Sequence, residues 1–128
     1  MTRELSLTVQ QPLLAVVRFP ARSGLPRWAA TSSFLSFTRT ADEDSLVCEE
    51  VRVPEGLAAQ KGFRALRVDG KLPFHFTGVL SSLANPLADA GVPIFVVSTH
   101  DTDYLLVPDA MLARAAASLR EAGHSVNE

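Results

Sequence analysis

The sequence predicts an α+β fold in which two small βαββαβ subdomains follow each other along the chain, each built on an antiparallel sheet. In the second half, short apolar runs rich in β-branched residues alternate with segments of helical spacing. The first half matches this hydrophobic pattern at an offset of about sixty residues, so that Leu46 falls on Leu106. We therefore expect a first subdomain over residues 1–69 and a second over residues 70–128.

The second half begins with a predicted strand and a predicted helix. Apolar residues alternate around Pro73 in residues 72–76, and we interpret this segment as a short strand. From Gly78 to Ala90 the apolar residues recur at helical spacing, and Gly91 is typical of a helix end. The opening elements are therefore a strand followed by a helix.

A predicted hairpin and a second helix complete this half. The apolar runs 93–97 and 104–107 flank the polar residues 98–103, which indicates two buried strands joined by a polar turn. Residues 109–123 have the spacing of an amphipathic helix that ends at a glycine, and residues 124–126 are suited to a last short strand. The order βαββαβ is the ferredoxin-like one.

The first half repeats this order less clearly. The run Phe34–Phe37 corresponds to Ile94–Val97, and the polar residues 38–43 correspond to the turn 98–103. Its helices are short, because residues 23–26 contain Gly and Pro and residues 54–60 allow only about two turns. Residues 4–9 have no counterpart, and we expect them to form an extra strand at a sheet edge.

Composition and charge exclude several classes of partner. A net charge of −2 with a pI near 5.9 gives no basic surface for nucleic acid. The single Cys48 cannot form an internal disulfide, and the N-terminus lacks the pattern of a signal peptide. No apolar run approaches the roughly 18–20 residues that span a bilayer. We expect a cytoplasmic protein that binds neither nucleic acid nor membranes.

Topology predicts where polar groups meet. In a βαββαβ sheet, the start of the first helix and the tip of the hairpin lie at the same edge, which here brings together residues 77–79 and 98–103. The glycine-led helix start offers backbone N–H groups for a carboxylate, and the turn offers hydroxyls and carboxylates for a cation. An amino acid fits both. Alternatively, the polar residues only stabilise the turn, and Thr77 caps the helix.

Other chemistry is less well supported by the spacing. A metal-dependent enzyme would have to use His75, His100, Asp101 and Asp103, but their spacing matches no strong metal motif. Cys48 has the surroundings of a small buried side chain. We therefore expect no cofactor, no metal and no catalysis.

Two arginines in the first half allow two interpretations. Arg18 and Arg39 lie near the edge that corresponds to the predicted site, where they could meet a ligand carboxylate. The alternative is an exposed ion pair with Asp42 or Glu43, which we favour.

The run from Gly78 to Val107 resembles small bacterial ACT-domain proteins. The carrying motif is Ser-Thr-x-x-Thr-Asp-Tyr after a β-run, at residues 98–104. It is similar to the ACT repeats of the animal cytosolic arginine sensor and of aspartate kinase regulatory regions. Residues 17–19, Trp28 and residues 38–47 resemble the preceding repeat of that family. The resemblance covers the chain from about residue 13 onward, with His100 where an aromatic residue is common.

This resemblance implies a regulatory protein that binds a free amino acid at an interface between repeats without transforming it. Asp103 would face the cationic group of the ligand. The residues implied in binding are Gly78, Val79, Ser81 and Ser82 at the helix start and Ser98, Thr99, His100, Thr102 and Asp103 in the loop over the ligand. The alternative is a module without a ligand that only assembles, for example as a homodimer.

Overall fold

A computed structural model describes residues 4–128, which form eight strands and two α-helices. Single turns of 3-10 helix lie at Arg27–Ala29, Glu50–Arg52 and Asp109–Met111. In chain order, the elements are β1 (Ser6–Val9), β2 (Leu14–Pro20), β3 (Leu35–Arg39), β4 (Glu43–Glu49), β5 (Gln60–Val68), α1 (Val79–Asp89), β6 (Phe95–Ser98), β7 (Asp103–Pro108), α2 (Leu112–Glu121) and β8 (Ser125–Asn127).

The chain forms two compact units. The N-terminal unit comprises residues 12–63, and the C-terminal unit comprises residues 64–128 together with residues 4–11. The expected subdomains were residues 1–69 and 70–128, so the structure divides the chain differently. The difference arises because β1 pairs with the end of β5, so that β1 and residues 64–68 of β5 belong to the C-terminal unit.

The C-terminal unit has the complete βαββαβ order, from the end of β5 through α1, β6, β7 and α2 to β8. Its strand order is β6-β7-β5-β1-β8; the pairs β6–β7 and β5–β1 are antiparallel, and β1 pairs with β8 in parallel. The predicted α+β, mostly antiparallel fold is therefore confirmed. Residues 4–9 were correctly expected to contain a strand, but its expected place at an edge was wrong. β1 lies between β5 and β8, because both neighbours offer free backbone groups to it.

The core of the C-terminal unit lies between its sheet and its two helices. The helices contribute Leu83, Leu87, Ala115 and Leu119, and the strands contribute Leu7, Leu66, Val68, Leu105 and Val107. Each of these side chains is completely buried, so each leucine contributes about 1.5–3 kcal/mol of hydrophobic stabilisation. The helical spacing seen in the sequence is thus the spacing of this buried face.

Pro86 lies inside α1, and its missing N–H leaves the carbonyl of Ser82 without its usual helical partner. The side chain of His124 provides the missing partner, because its Nε2 lies 3.0 Å from that carbonyl oxygen. The backbone N–H of Leu5 donates to the other ring nitrogen, Nδ1, at 3.1 Å. Because Nδ1 accepts from the N–H of Leu5, Nε2 is the ring nitrogen that can donate to the carbonyl of Ser82. The buried His124 therefore joins α1 to the segment before β1.

The N-terminal unit has the strand order β3-β4-β2-β5 and is antiparallel throughout. Its core is formed by Ala15, Val17, Ala29, Leu46, Cys48 and Val53. In place of two α-helices it has the 3-10 turns Arg27–Ala29 and Glu50–Arg52. The helix expected over residues 54–60 was wrong, because Pro54 and the positive φ of Gly56 end the helical turn early.

The segment 72–76, expected to be a strand, is a loop. Phe76 donates its N–H to the carbonyl of Pro73 at 3.1 Å, which closes a turn, and Pro73 has no N–H for a sheet. The first strand of the C-terminal unit is instead β5. The hairpin of β6 and β7 is confirmed, but β6 is not a buried strand: Phe95 is 39% exposed.

The two hairpins show the true offset between the halves. The last pair before the turn is Arg39 with Asp44 in one hairpin and Ser98 with Asp103 in the other. Asp103 therefore corresponds to Asp44, 59 positions earlier, and the expected offset of sixty was one too large. The error matters because a shift of one residue moves every side chain to the opposite face of a strand.

Candidate functional site

An open cleft of about 240 Å³ lies in the C-terminal unit, where the topology placed the predicted site. It is lined on one side by the turn 98–103 and on the other by Leu72, Pro73, Phe74, Phe76 and Val79. The structure thus brings the start of α1 and the hairpin turn to one cleft. This volume is slightly below the roughly 300–1,000 Å³ of pockets for drug-sized ligands, so it suits a smaller molecule.

The turn 98–103 is held by two threonines. Thr99 and Thr102 bond to each other through backbone and hydroxyl groups, with the Thr99 N–H 2.8 Å from the Thr102 carbonyl oxygen. The Thr102 hydroxyl donates to the carbonyl of Val68 at 2.6 Å and is buried. Both hydroxyls therefore stabilise the turn, and they position the neighbouring acidic residues at the cleft.

Asp103 is the first residue of β7 and offers one free carboxylate oxygen. Its Oδ1 accepts a hydrogen bond from the Ser98 hydroxyl at 2.6 Å. Within residues 4–128, nothing bonds to its Oδ2. This oxygen is thus available to an ammonium group, and the Ser98 hydroxyl fixes the carboxylate in place.

Asp101 is already compensated. Its Oδ1 lies 3.0 Å from Nδ1 of His100. This hydrogen bond, and secondarily the charge of Lys71, lower the pKa of the Asp101 carboxyl from its ordinary value. Asp101 is thus partnered by an imidazole and lies near the charge of Lys71, whereas the hydrogen-bond partner of Asp103 is the uncharged hydroxyl of Ser98.

The start of α1 has no side-chain cap. Gly78 is the N-cap residue at a positive φ of 77°, and no side chain accepts from the first turn, so Thr77 does not cap it. The hydroxyls of Ser81 and Ser82 donate instead to the carbonyls of Gly78 and Val79, at 3.1 and 2.7 Å. The first N–H groups of the helix consequently remain free to bind an anion.

The sequence-predicted residues divide into two groups. Val79, Ser98, Thr99, His100, Thr102 and Asp103 line the cleft, whereas Gly78, Ser81 and Ser82 do not. Sequence reasoning missed the apolar wall of Leu72, Pro73, Phe74 and Phe76, because it assigned these residues to a strand. Pro73 and the neighbouring Gly70 were the signal for a loop there.

Of the four candidates for metal chemistry, His100, Asp101 and Asp103 line the cleft, whereas His75 does not. Among residues 4–128, no three His, Cys, Asp or Glu side chains form a group that could hold a metal ion. His75 packs edge-on against Phe76, with ring centroids 5.3 Å apart. Cys48 is buried in the core of the N-terminal unit, as predicted, and burial raises the pKa of its thiol.

The described part of the chain contains no helix with the length and apolar composition needed to cross a bilayer.

Arg18 forms the exposed ion pair that we favoured from the sequence. Its Nε lies 4.0 Å from the carboxylate of Glu43, and its guanidinium donates to the carbonyl of Asp42 at 3.3 Å. Arg39 is exposed and lies across the ladder from Asp44. Neither arginine lines the cleft.

In the N-terminal unit, the aspartate that corresponds to Asp103 is hydrogen-bonded to the backbone of a neighbouring loop. Asp44, the counterpart of Asp103, accepts a hydrogen bond on Oδ2 from the N–H of Gly24 at 2.8 Å. Its side chain is completely buried, and its Oδ1 lacks a partner among residues 4–128. The loop after β2 therefore covers this aspartate, whereas the cleft leaves Asp103 accessible.

These features define the class of protein, and comparison with known families agrees with them. The family model of the ACT domain matches residues 58–121. A second model, described as an N-terminal domain, matches residues 13–56. The chain belongs to the ACT-domain family. No protein with a curated description matches it in sequence.

Solved structures show the same fold. A protein from Agobacterium tumefaciens is 36% identical, with a TM-score of 0.91 over 98% of this chain and 93% of its own. The regulatory subunit of aspartate kinase from Thermus flavus is 10% identical, with a TM-score of 0.64 over 94% of this chain and 99% of its own. Aspartate kinase from Clostridium acetobutylicum is 14% identical, with a TM-score of 0.66 over 89% of this chain and 34% of its own.

Proposed function

We propose that this protein is a regulatory module that binds a free amino acid in the cleft of the C-terminal unit and does not transform it. The single observation that carries the proposal is the meeting of two unsatisfied polar groups of opposite sign at one cleft. These are the uncapped N-terminus of α1, whose first residue Val79 lines the cleft, and the free Oδ2 of Asp103.

The two groups complement a zwitterion. The N–H groups of the first helical turn carry partial positive charge and suit the α-carboxylate. The Asp103 carboxylate suits the α-ammonium group through a charge-assisted hydrogen bond. The turn that presents Asp103 is fixed by Thr99 and Thr102, so binding requires little reordering of the chain.

The N-terminal unit supports the role given to Asp103. There the N–H of Gly24 bonds to the equivalent carboxylate of Asp44. We infer that a ligand ammonium group takes the place of this N–H at Asp103. The similarity in fold to a protein described as the regulatory subunit of aspartate kinase is consistent with a regulatory role.

A ligand-dependent stability measurement tests the proposal. Thermal unfolding is followed with each of the common amino acids in turn at millimolar concentration. At a concentration about 100 times the dissociation constant, the bound amino acid should stabilise the protein by about 2.7 kcal/mol. If no free amino acid raises the melting temperature, the proposal is wrong.

The Asp103→Asn variant separates binding from folding. The amide keeps an oxygen that accepts from Ser98, so the turn should remain intact, but it loses the charge that holds the ammonium group. We expect the stabilisation by the amino acid to disappear while the unliganded protein unfolds as before. The matched control is Asp42→Asn in the exposed turn of the other hairpin, which should leave the response unchanged.

The alternative of a module that only assembles is distinguished by the same data. Such a module would melt at a temperature that rises with protein concentration and would ignore amino acids. A homodimer and a cytoplasmic location stay predictions from the sequence.

A further inference from the structure

We propose that the amino acid bound by this cleft has an apolar, uncharged side chain of the size of leucine or phenylalanine. This inference rests on the proposed function, because it assumes that an amino acid occupies the cleft. It follows from the charges and the apolar surface that remain once the α-carboxylate and α-ammonium groups have been placed.

The charges at the cleft are used up by the backbone groups of the ligand. Asp103 offers one free oxygen for the ammonium group, and Asp101 is engaged by His100. A ligand with a basic side chain would need a further uncompensated acid. Within residues 4–128, no Lys or Arg side chain lines the cleft to receive an acidic side chain. A neutral side chain needs no further charged partner at the cleft.

The remaining wall is apolar. Leu72, Pro73, Phe74 and Phe76 line the side opposite the turn, and we call these four residues the apolar wall. Phe74 is 79% exposed, so its ring surface is accessible to a ligand side chain in the cleft. Burial of a ligand side chain against this wall would remove apolar surface of both partners from water.

The apolar wall is fixed to the polar side of the cleft. The N–H of Leu72 donates to the carbonyl of Asp101 at 2.7 Å. The ring of Phe74 stands edge-on to His100, with centroids 4.8 Å apart. These contacts hold the loop against the turn, so that the wall and the Asp103 carboxylate act on the same ligand. An aromatic ligand would gain further from offset or edge-on packing with Phe74.

A series of free amino acids tests the inference. Dissociation constants are measured by calorimetry for glycine, alanine, valine, leucine, phenylalanine, lysine, arginine, aspartate and glutamate. Each added methylene should tighten binding about fourfold, so leucine should bind at least about tenfold more tightly than alanine. The four charged amino acids should bind more weakly than leucine.

A variant of the apolar wall provides the second measurement. Phe74→Ala should weaken the binding of leucine and phenylalanine about tenfold, and it should leave the affinity for alanine almost unchanged. Because Phe74 is exposed, the variant should fold. The matched control is Val51→Ala, which removes an apolar side chain that is 85% exposed in the other unit and should change no affinity.

The outcomes separate this inference from the proposed function. Tightest binding of lysine, arginine, aspartate or glutamate, with loss of binding in Asp103→Asn, would overturn the apolar preference and retain the proposed function. Equal affinities for alanine and leucine would do the same. If no amino acid binds the wild-type protein, both proposals are wrong.

Discussion

The two units place an aspartate at the same position of their hairpins but surround it differently. In the N-terminal unit, Asp44 is buried and receives the N–H of Gly24 from the loop after β2. In the C-terminal unit, the loop after β5 leaves an open cleft beside Asp103. The same hairpin position can therefore hold a carboxylate that is covered by backbone or one that lines a cleft.

The two units also differ in their helices. The C-terminal unit has α1 and α2, whose apolar faces build its core, whereas the N-terminal unit has two single 3-10 turns. α1 has 11 residues and begins at the cleft, whereas the 3-10 turns of the N-terminal unit have 3 residues each. The comparison indicates that the N-terminal unit keeps an antiparallel sheet but lacks the α-helix start on which the proposed site depends. The following predictions test it, from the largest expected effect to the smallest.

Equivalent core leucines should matter equally in the two units. Leu46 in β4 and Leu105 in β7 correspond through the hairpin register, and both are completely buried. We expect Leu46→Ala and Leu105→Ala each to lower the free energy of unfolding by about 2–5 kcal/mol in chemical denaturation, and the same of Leu106→Ala. Leu35→Ala, at an exposed position, is the control. A loss below about 1 kcal/mol at Leu46 or Leu105 would break the equivalence.

His124 should contribute to the C-terminal unit alone. Its replacement by alanine leaves the Ser82 carbonyl and the Leu5 N–H without their partners, and each lost partner costs about 1–3 kcal/mol. We expect His124→Ala to destabilise the protein by at least about 2 kcal/mol in denaturant unfolding. The double variant Pro86→Ala with His124→Ala should recover part of this loss, because residue 86 can then donate to Ser82. If the double variant recovers no stability, His124 does not substitute for the hydrogen bond that Pro86 cannot donate to Ser82.

Replacement of the covered Asp44 should cost more stability than replacement of the accessible Asp103. Asp44→Ala removes the acceptor of the Gly24 N–H and should lower stability by about 1–3 kcal/mol, measured by thermal unfolding without ligand. Asp103→Asn should change the stability of the unliganded protein by less than about 0.5 kcal/mol. If the two variants lose the same stability, the proposed contrast between a covered and an open site fails.

The smallest expected effect concerns acid stability. Burial acts to raise the pKa of Asp69, but hydrogen bonds from Thr8, Arg67 and Ser6 outweigh it and hold the pKa below its ordinary value. A lowered pKa stabilises the folded state above the ordinary value of about 3.9, and this stabilisation is lost as the pH falls through the lower, folded-state pKa.

The pH dependence of unfolding checks this assignment. Between pH 7 and pH 3, Asp69→Asn should lose less stability than the wild-type protein, and the two should converge in acid. Glu55→Gln, at an exposed position of the N-terminal unit, is the control and should follow the wild-type curve. Parallel curves for wild type and Asp69→Asn would contradict the assignment.

Much of the fold could be predicted because its signals are local. The helical spacing of α1 and α2 and the polar turns of both hairpins reflect which side of each element faces the core, so the sequence carries them directly. The segment 72–76 was wrongly predicted as a strand because its apolar residues alternate as they do in strands. Pro73 and the turn to Phe76 outweigh that pattern.

The site was predictable in outline and not in detail. The order of elements placed Val79 and Asp103 near each other, and the structure brings both to the cleft. The roles of Thr99, Ser81 and Ser82 could not be assigned, because a hydroxyl binds whichever acceptor lies nearest, and that depends on the folded geometry.

The sequence by itself determined the α+β class, the two hairpins and the helices of the C-terminal unit, since hydrophobic periodicity follows from the geometry of one element at a time. The tertiary structure alone decided the partners of β1, the one-residue shift between the hairpins, and the contrast between Asp44 and Asp103. These depend on which distant backbone groups remain unpaired, and a distant N–H such as that of Gly24 leaves no periodic trace in the chain.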